Sequence, residues 1–263
     1  MDIYPLSTWN GEIVLKKIRR AAPKPYHHGD LRRALIETAL QLVSEEQDWT
    51  FSLREVARRA GVSHRAPYNH FPEKLDLLAA VAAVGFDRLH DGLARATVGI
   101  DDPEALLDVI CRTYVHLGLE NPALYRLMFG PVLSDTGADD RPTVARAAGD
   151  RARAVLENAV LRGARAGVFA VSPDSPRDVI LAAFSAWSAI HGLTMMVIDR
   201  IPKAELSLDD MIDRLLRMVA AGLRKPGAEP SSETVARRAN RDRNALSAPR
   251  PGVLASGKGR AMK

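Results

Sequence analysis

His64, Arg65, Tyr68, Asn69 and His70 gather five cationic or hydrogen-bonding side chains into seven residues, a set suited to contact with a charged partner. The residues before them say how they are presented. In SLREVARRAGVSHRAPYNHF (52–71), Ser52 is a good N-cap and Glu55 stands three residues later, the spacing of a capping box. Leu53, Val56, Ala57 and Ala60 then form one apolar face at helical spacing. Gly61 ends that helix, since a residue without Cβ enters the left-handed region at little cost. Val62 packs into the corner, and Ser63 caps a second helix that carries the polar set. This is the layout of a helix-turn-helix, whose second helix enters the major groove of DNA.

The run resembles the N-terminal domain of TetR/AcrR-family transcription regulators. The resemblance rests on Val56-Ala57, Ala60-Gly61-Val62-Ser63, Tyr68-Asn69-His70-Phe71 and Lys74, in that order. Pro67 departs from the pattern, which more often has Leu there; a proline in the first turn removes one amide donor and distorts the helix start. The resemblance implies that a helix over 64–70 reads the major groove. Arg65 is then the candidate for base contact, because a guanidinium bonds two acceptors on guanine at once. Asn69 and His64 read or position, while Tyr68, His70 and Lys74 hold phosphates. Ser52 and Arg54, near the start of the preceding helix, and Ser63 at the turn complete the set. Phosphate contacts set register without reading sequence. The plain alternatives are a solvated surface arginine and a His70 that packs beside Phe71. A dimer of such heads binds a pseudo-palindromic operator, its reading helices about one DNA turn apart.

Helices must position these groups. Asp30 can cap one from about 31 to 46, with Leu31, Leu35, Thr38, Leu42 and Val43 inward, and Trp49 and Phe51 fill the small core beneath the turn. Pro72 and Glu73 open a helix through Leu75, Leu78, Val81 and Val84 towards Leu89. Beyond Gly99 the spacing predicts helices over 103–120, 123–129, 143–166, 179–198 and from Ser207 to Leu223, with a loop, GPVLSDTGADD, at 130–140. In the 143–166 helix Val144, Ala148, Val155, Ala159 and Val160 form the inner stripe. No strand signal or internal repeat appears. The expected fold class is all-α: an N-terminal three-helix helix-turn-helix domain, then a helical regulatory and dimerisation domain. The divisions are a flexible basic arm (1–25), a DNA-binding domain with connecting helix (26–90), a ligand-binding and dimerisation domain (100–224) and a disordered basic tail (225–263).

In the second domain, NPALYRLMFGP (121–131) and Trp187 with His191-Gly192 resemble the regulatory domains of a subgroup named for Trp, His and Gly. In the family the last two long helices pair across a two-fold axis. Ala182, Ala183, Ser185, Ala186 and Ala189 would permit such close approach. Tyr114, His116, Met128, Phe129, Trp187, His191 and Met195 are candidates to line an effector cavity, since small-molecule sites are apolar with a few polar groups. Plain core is the alternative for each.

Composition narrows the function classes. With 46% hydrophobic and 26% charged residues, the chain suits a globular protein of one or two domains. Residues 1–28 carry net +3 and 225–263 net +6, which leaves −4 for 29–224; the overall +5 therefore belongs to the ends. The single cysteine, Cys111, excludes an internal disulfide framework and fits a reducing cytosol, and no signal peptide is expected at the N-terminus. Val179–Ile198 is long and apolar enough to imitate a membrane span, yet holds Ser185, Ser188, His191, Gly192 and Thr194, so a core or interface helix is expected instead. No histidine cluster has metal-ligand spacing, and no nucleophile elbow or phosphate-binding glycine loop supports an enzyme or cofactor. The reading is a cytoplasmic, homodimeric DNA-binding regulator, a repressor released by an unidentified small-molecule effector. The alternatives are an effector-independent architectural or chromosome-organising DNA binder, and a helical enzyme or transporter accessory with a decaying head.

Overall fold

The computed structural model describes residues 31–134, 143–202 and 205–227, with a few isolated positions beyond. The 1–25 arm, the Asp30 cap, most of the 130–140 loop and nearly all of the tail lie outside the described residues. Residues 27–235 group as one unit; residues 1–26 with 236–263 group as another, almost wholly outside the described residues. The fold is all-α. The only extended pairing among the described residues is an isolated antiparallel bridge between Phe169 and Arg224.

Helix α1 (Leu31–Glu46) buries Leu35, Ile36, Ala39, Leu40, Leu42 and Val43. Helix α2 (Leu53–Arg59) starts where Ser52 Oγ accepts the Glu55 amide at 3.2 Å. The expected capping box is only half formed, because the Glu55 carboxylate turns away to accept Arg58 Nε and Nη2 at 2.9 and 2.6 Å. At the other end Gly61 has φ +71°; its amide bonds Arg58 O, and that of Val62 bonds Ala57 O, a complete Schellman stop.

The second helix of the pair is shorter than expected. Instead of a helix over 64–70 there is one 3₁₀ turn, Ala66–Asn69. Pro67 is the cause: it has no amide to give Ser63 O, so Ala66 N takes that carbonyl at 3.0 Å in the tighter register. Tyr68 N to Arg65 O and His70 N to Pro67 O continue it. Ser63 therefore closes the turn through its carbonyl, and no side chain caps this element.

Helix α3 (Lys74–Ala96) opens with a reciprocal capping box between Glu73 and Asp76. The body follows: α4 (Pro103–Glu120), α5 (Pro122–Phe129), α6 (Pro131–Ser134), α7 (Thr143–Arg165), α8 (Pro176–Ile198) and α9 (Leu208–Leu223). Part of the expected 130–140 loop is thus the single turn α6. Val144, expected inside, is exposed because it stands at the start of α7, where Ala145 and Ala148 take the buried stripe.

Two apolar cores result. The first joins α1, α2 and the N-terminal half of α3, with Phe51 and Phe71. The second joins the C-terminal half of α3 to α4, α7, α8 and α9. Helix α5 serves both: Ala123, Leu124 and Leu127 face the first, Tyr125 and Phe129 the second. Arg224 locks the end of α9 to the buried Glu104 at 2.5 Å. Arg112 on α4 similarly bonds Asp108 at 3.1 Å and pairs with Asp213 of α9.

The membrane-like helix α8 resolves into two faces. Val179, Ala183, Ala186, Ile190 and Thr194 are buried, while Ile180, Leu181 and Phe184 are about half exposed.

Candidate nucleic-acid interface and buried cavity

Around the α2 turn, Ser52, Arg54, Ser63, His64, Arg65, Tyr68, Asn69 and His70 are all exposed. Buried Pro67 and Phe71 fasten the 3₁₀ turn to the core, so its polar residues are held outward by a packed support. Tyr68 is 46% exposed, unusual for so large an apolar ring and suited to contact with a partner.

The cations here are not equivalent. Arg58 and Arg59 are engaged by carboxylates: Arg58 by Glu55, and Arg59 by Glu55, Glu45 and Glu46. The Arg58 hydrogen bond holds the Glu55 carboxyl at about 2, well below its ordinary range. Arg54 and Arg65 are exposed and stand outside these ion pairs. Lys74 differs again. It is half-buried at the start of α3, with its ammonium 5.4 Å from the Phe51 ring centre, and burial lowers its pKa.

In the body, a cavity of about 410 Å³ lies between α3, α4, α5, α7 and α8. Phe86, Leu89, Ile110, Met128, Phe129 and Trp187 form much of its wall. Tyr114 supplies the buried hydroxyl. It accepts Trp187 Nε1–H at 3.0 Å and the Tyr125 hydroxyl at 2.9 Å, and stands 3.0 Å from His191 Nδ1. Tyr125 Oη is 2.6 Å from that same nitrogen. Phe129 braces the group, 4.8 Å from the His191 ring centre and 5.9 Å from that of Trp187. Burial pushes both phenol pKa values up and that of His191 down, so all three groups are neutral at neutral pH. Cys111 also lines the cavity; burial raises its thiol to about 12, which keeps it protonated and unreactive.

The structure thus brings Tyr114, Met128, Phe129 and Trp187 to one cavity, with His191 bonded behind its wall. It does not bring His116, which is exposed. Positions i and i+2 of a helix are rotated by about 200°, so Tyr114 and His116 cannot face the same space. Met195, one turn beyond His191, is half-buried against the core and outside the lining. Sequence reasoning missed Tyr125. Its signal was available, since Tyr125, Met128 and Phe129 follow the i, i+3, i+4 spacing of one face of α5. No group of three or more metal-ligating side chains occurs among the described residues.

Two family models match the chain: bacterial regulatory proteins of the tetR family over residues 35–81, and the tetracyclin repressor-like C-terminal domain over residues 107–219. No curated protein matches it. Among solved structures it is similar to a protein of unknown function from Rhodococcus sp. RHA1, at 29% identity and a TM-score of 0.64, over 77% of this chain and 100% of that one. It shares its fold with a TetR family transcription regulator from Marinobacter aquaeolei VT8 (21% identity, TM-score 0.55, 74% of this chain and 95% of that one). The fatty acid degradation regulator FadR from Bacillus halodurans is similar in fold as well (15%, 0.56, 74% and 97%).

Proposed function

The chain belongs to the tetR family of DNA-binding transcription regulators, and from that premise we propose that it is a homodimeric repressor released from a pseudo-palindromic operator by a small-molecule effector. One observation carries the reading: α3 and α5 each place side chains in both cores. On α3, Leu77, Leu78 and Val81 seat the helix-turn-helix, while Phe86, Leu89 and Leu93 line the cavity. On α5, Leu124 and Leu127 do the first and Met128 and Phe129 the second. A ligand that fills the cavity therefore pushes on the helices that seat the reading head. Its effect is bounded by its differential affinity for the two head spacings.

Arg65 reads a base in this account, Asn69 and His64 assist, and Tyr68, His70, Lys74, Ser52, Arg54 and Ser63 hold the backbone. The half-exposed apolar face of α8, with Met218 of α9, supports pairing of two copies, because monomers rarely leave large apolar patches in water. The reading implies the cytoplasm, where the operator is.

The test is a fluorescence-anisotropy titration of the protein against DNA flanking its own gene, beside scrambled DNA of equal length, at two salt concentrations. Tight, salt-sensitive preference for the flanking DNA is expected. Absence of binding to either DNA at low salt would sink the reading, and equal binding to both would favour an architectural role.

A further inference from the structure

The cavity wall is apolar except at Tyr114 and at three exposed charged residues, Arg146, Asp150 and Arg153. Those three lie along one face of α7. Asp150 and Arg153 pair at 2.9 Å, and Arg153 also bonds Glu157 at 2.9 Å. Exposed and largely paired, they belong to the mouth. The inner polar point is the Tyr114 hydroxyl.

That hydroxyl sits in a cluster with two complete hydrogen-bond arrangements. In both, Tyr125 donates to Tyr114 at 2.9 Å and Trp187 donates to it at 3.0 Å, which fills both Tyr114 lone pairs. A neutral imidazole carries its proton on either nitrogen, so His191 Nδ1 accepts in one tautomer and donates in the other. In the first arrangement Tyr114 donates to Nδ1 at 3.0 Å. In the second, Nδ1–H donates to Tyr125 Oη across the shorter 2.6 Å gap, and Tyr114 has its own O–H to give. The exchange strands no buried donor, provided that something in the cavity accepts that proton. An orphaned buried donor costs about 1–3 kcal/mol, which makes the condition a selective one. The site therefore offers a donor rather than an acceptor. It also has no inner charge to pair with an ion, and an unpaired buried ion is strongly disfavoured.

We propose that the cavity takes an uncharged, largely apolar molecule with one accepting oxygen, a ketone, ester or lactone carbonyl, seated on the Tyr114 hydroxyl; this rests on the effector reading above. Tyr125 and His191 act as positioning residues, since their mutual bond is what frees the Tyr114 proton.

The experiment loads the full chain with the neutral fluorescent probe N-phenyl-1-naphthylamine and displaces it with 2-decanone, decanoate or decylammonium. The ketone is expected to displace the probe at concentrations at least about tenfold below either ion, and Tyr114→Phe to erase most of that advantage while retaining probe uptake. Tyr125→Phe leaves Tyr114 as the only phenol serving Nδ1, so it also weakens the ketone and spares decylammonium. That variant carries the test if Tyr114→Phe no longer takes up the probe. Probe uptake with equal displacement by all three compounds overturns the proposal and leaves the effector cavity standing. So does best displacement by decanoate, which would place an acidic head at Arg146 on the rim. Absence of probe uptake by the unmodified protein overturns the effector reading and the proposal with it.

Discussion

Asn121 Nδ2 donates to Ser44 Oγ at 2.6 Å, which ties the residue before α5 to the C-terminal turn of α1. The same side chain caps α5, its Oδ1 accepting the Leu124 amide at 3.0 Å. One residue thus fixes the helix that lines the cavity and fastens it to the head. Ser44→Ala removes only the fastening. It should cost under about 1 kcal/mol, as an exposed hydrogen bond does, yet narrow the ratio of operator affinities without and with effector. Asn121→Ala loses the cap as well and should cost about 1 kcal/mol more. Thermal melts and paired operator titrations separate the two; an unchanged ratio in Ser44→Ala would remove this tie from the coupling.

Arg65 and Lys74 should fail in different ways. Arg65→Ala should lower operator affinity by about 1–3 kcal/mol and relax preference at one base pair. Lys74→Gln should weaken all sequences alike and reduce the salt slope by about 1. Affinity across single-base operator variants at several salt concentrations checks both. If Arg65→Ala lost affinity uniformly, Arg65 would be a backbone contact.

The sequence made the head legible because its signals are local. Ser52, Gly61 and the α2 stripe act within a few residues, and capping and turn chemistry fixed them without tertiary help. The 3₁₀ turn was half legible: Pro67 announced a lost donor, but which residue would take Ser63 O is settled only by how Pro67 and Phe71 pack. The cavity was less legible. Tyr114, Tyr125 and His191 meet across separations of 11 to 77 residues, a distance over which helical spacing carries no information. Helical geometry did suffice to reject His116, had Tyr114 been placed first.

Pro67 is itself testable. Pro67→Ala restores an amide that can bond Ser63 O and lets an α-helical register begin earlier. Far-UV circular dichroism should show a small helical gain. Operator affinity should shift severalfold, because His64 and Arg65 would turn relative to Tyr68. An unchanged operator preference together with a helical gain would mean that the pose of the turn does not set recognition.

His191 should make stability fall in acid. Burial lowers its pKa, so below its ordinary value of about 6.5 the unfolded chain takes up the proton before the folded one does. The stability of the neutral cluster is therefore complete above that value and is lost as pH falls below it towards the lowered folded-state pKa. Protonation also removes the lone pair that Nδ1 offers to a phenol. Melting temperatures between pH 7.5 and 5.5 should drop more steeply in the unmodified protein than in His191→Gln, which keeps an acceptor without titrating. Parallel curves would assign the acid sensitivity elsewhere.

In the proposed dimer, the outer face of α8 decides whether two heads act as one. Leu181 is 53% exposed and beside Ile180 and Phe184, so burial in this chain does not explain its size. Leu181→Glu should leave monomer stability within about 0.5 kcal/mol, as surface changes do. In a face-to-face pair, by contrast, the two copies bring unpaired carboxylates into an apolar seam, a cost large enough to separate them. Light scattering after size exclusion should then report half the mass. Operator affinity should fall by about 10²–10⁴, since each head would bind its half-site without the effective concentration supplied by its partner. The far-UV spectrum should not change, which distinguishes separation from unfolding. A dimer that survives Leu181→Glu with operator affinity intact would move the pairing surface off this face of α8.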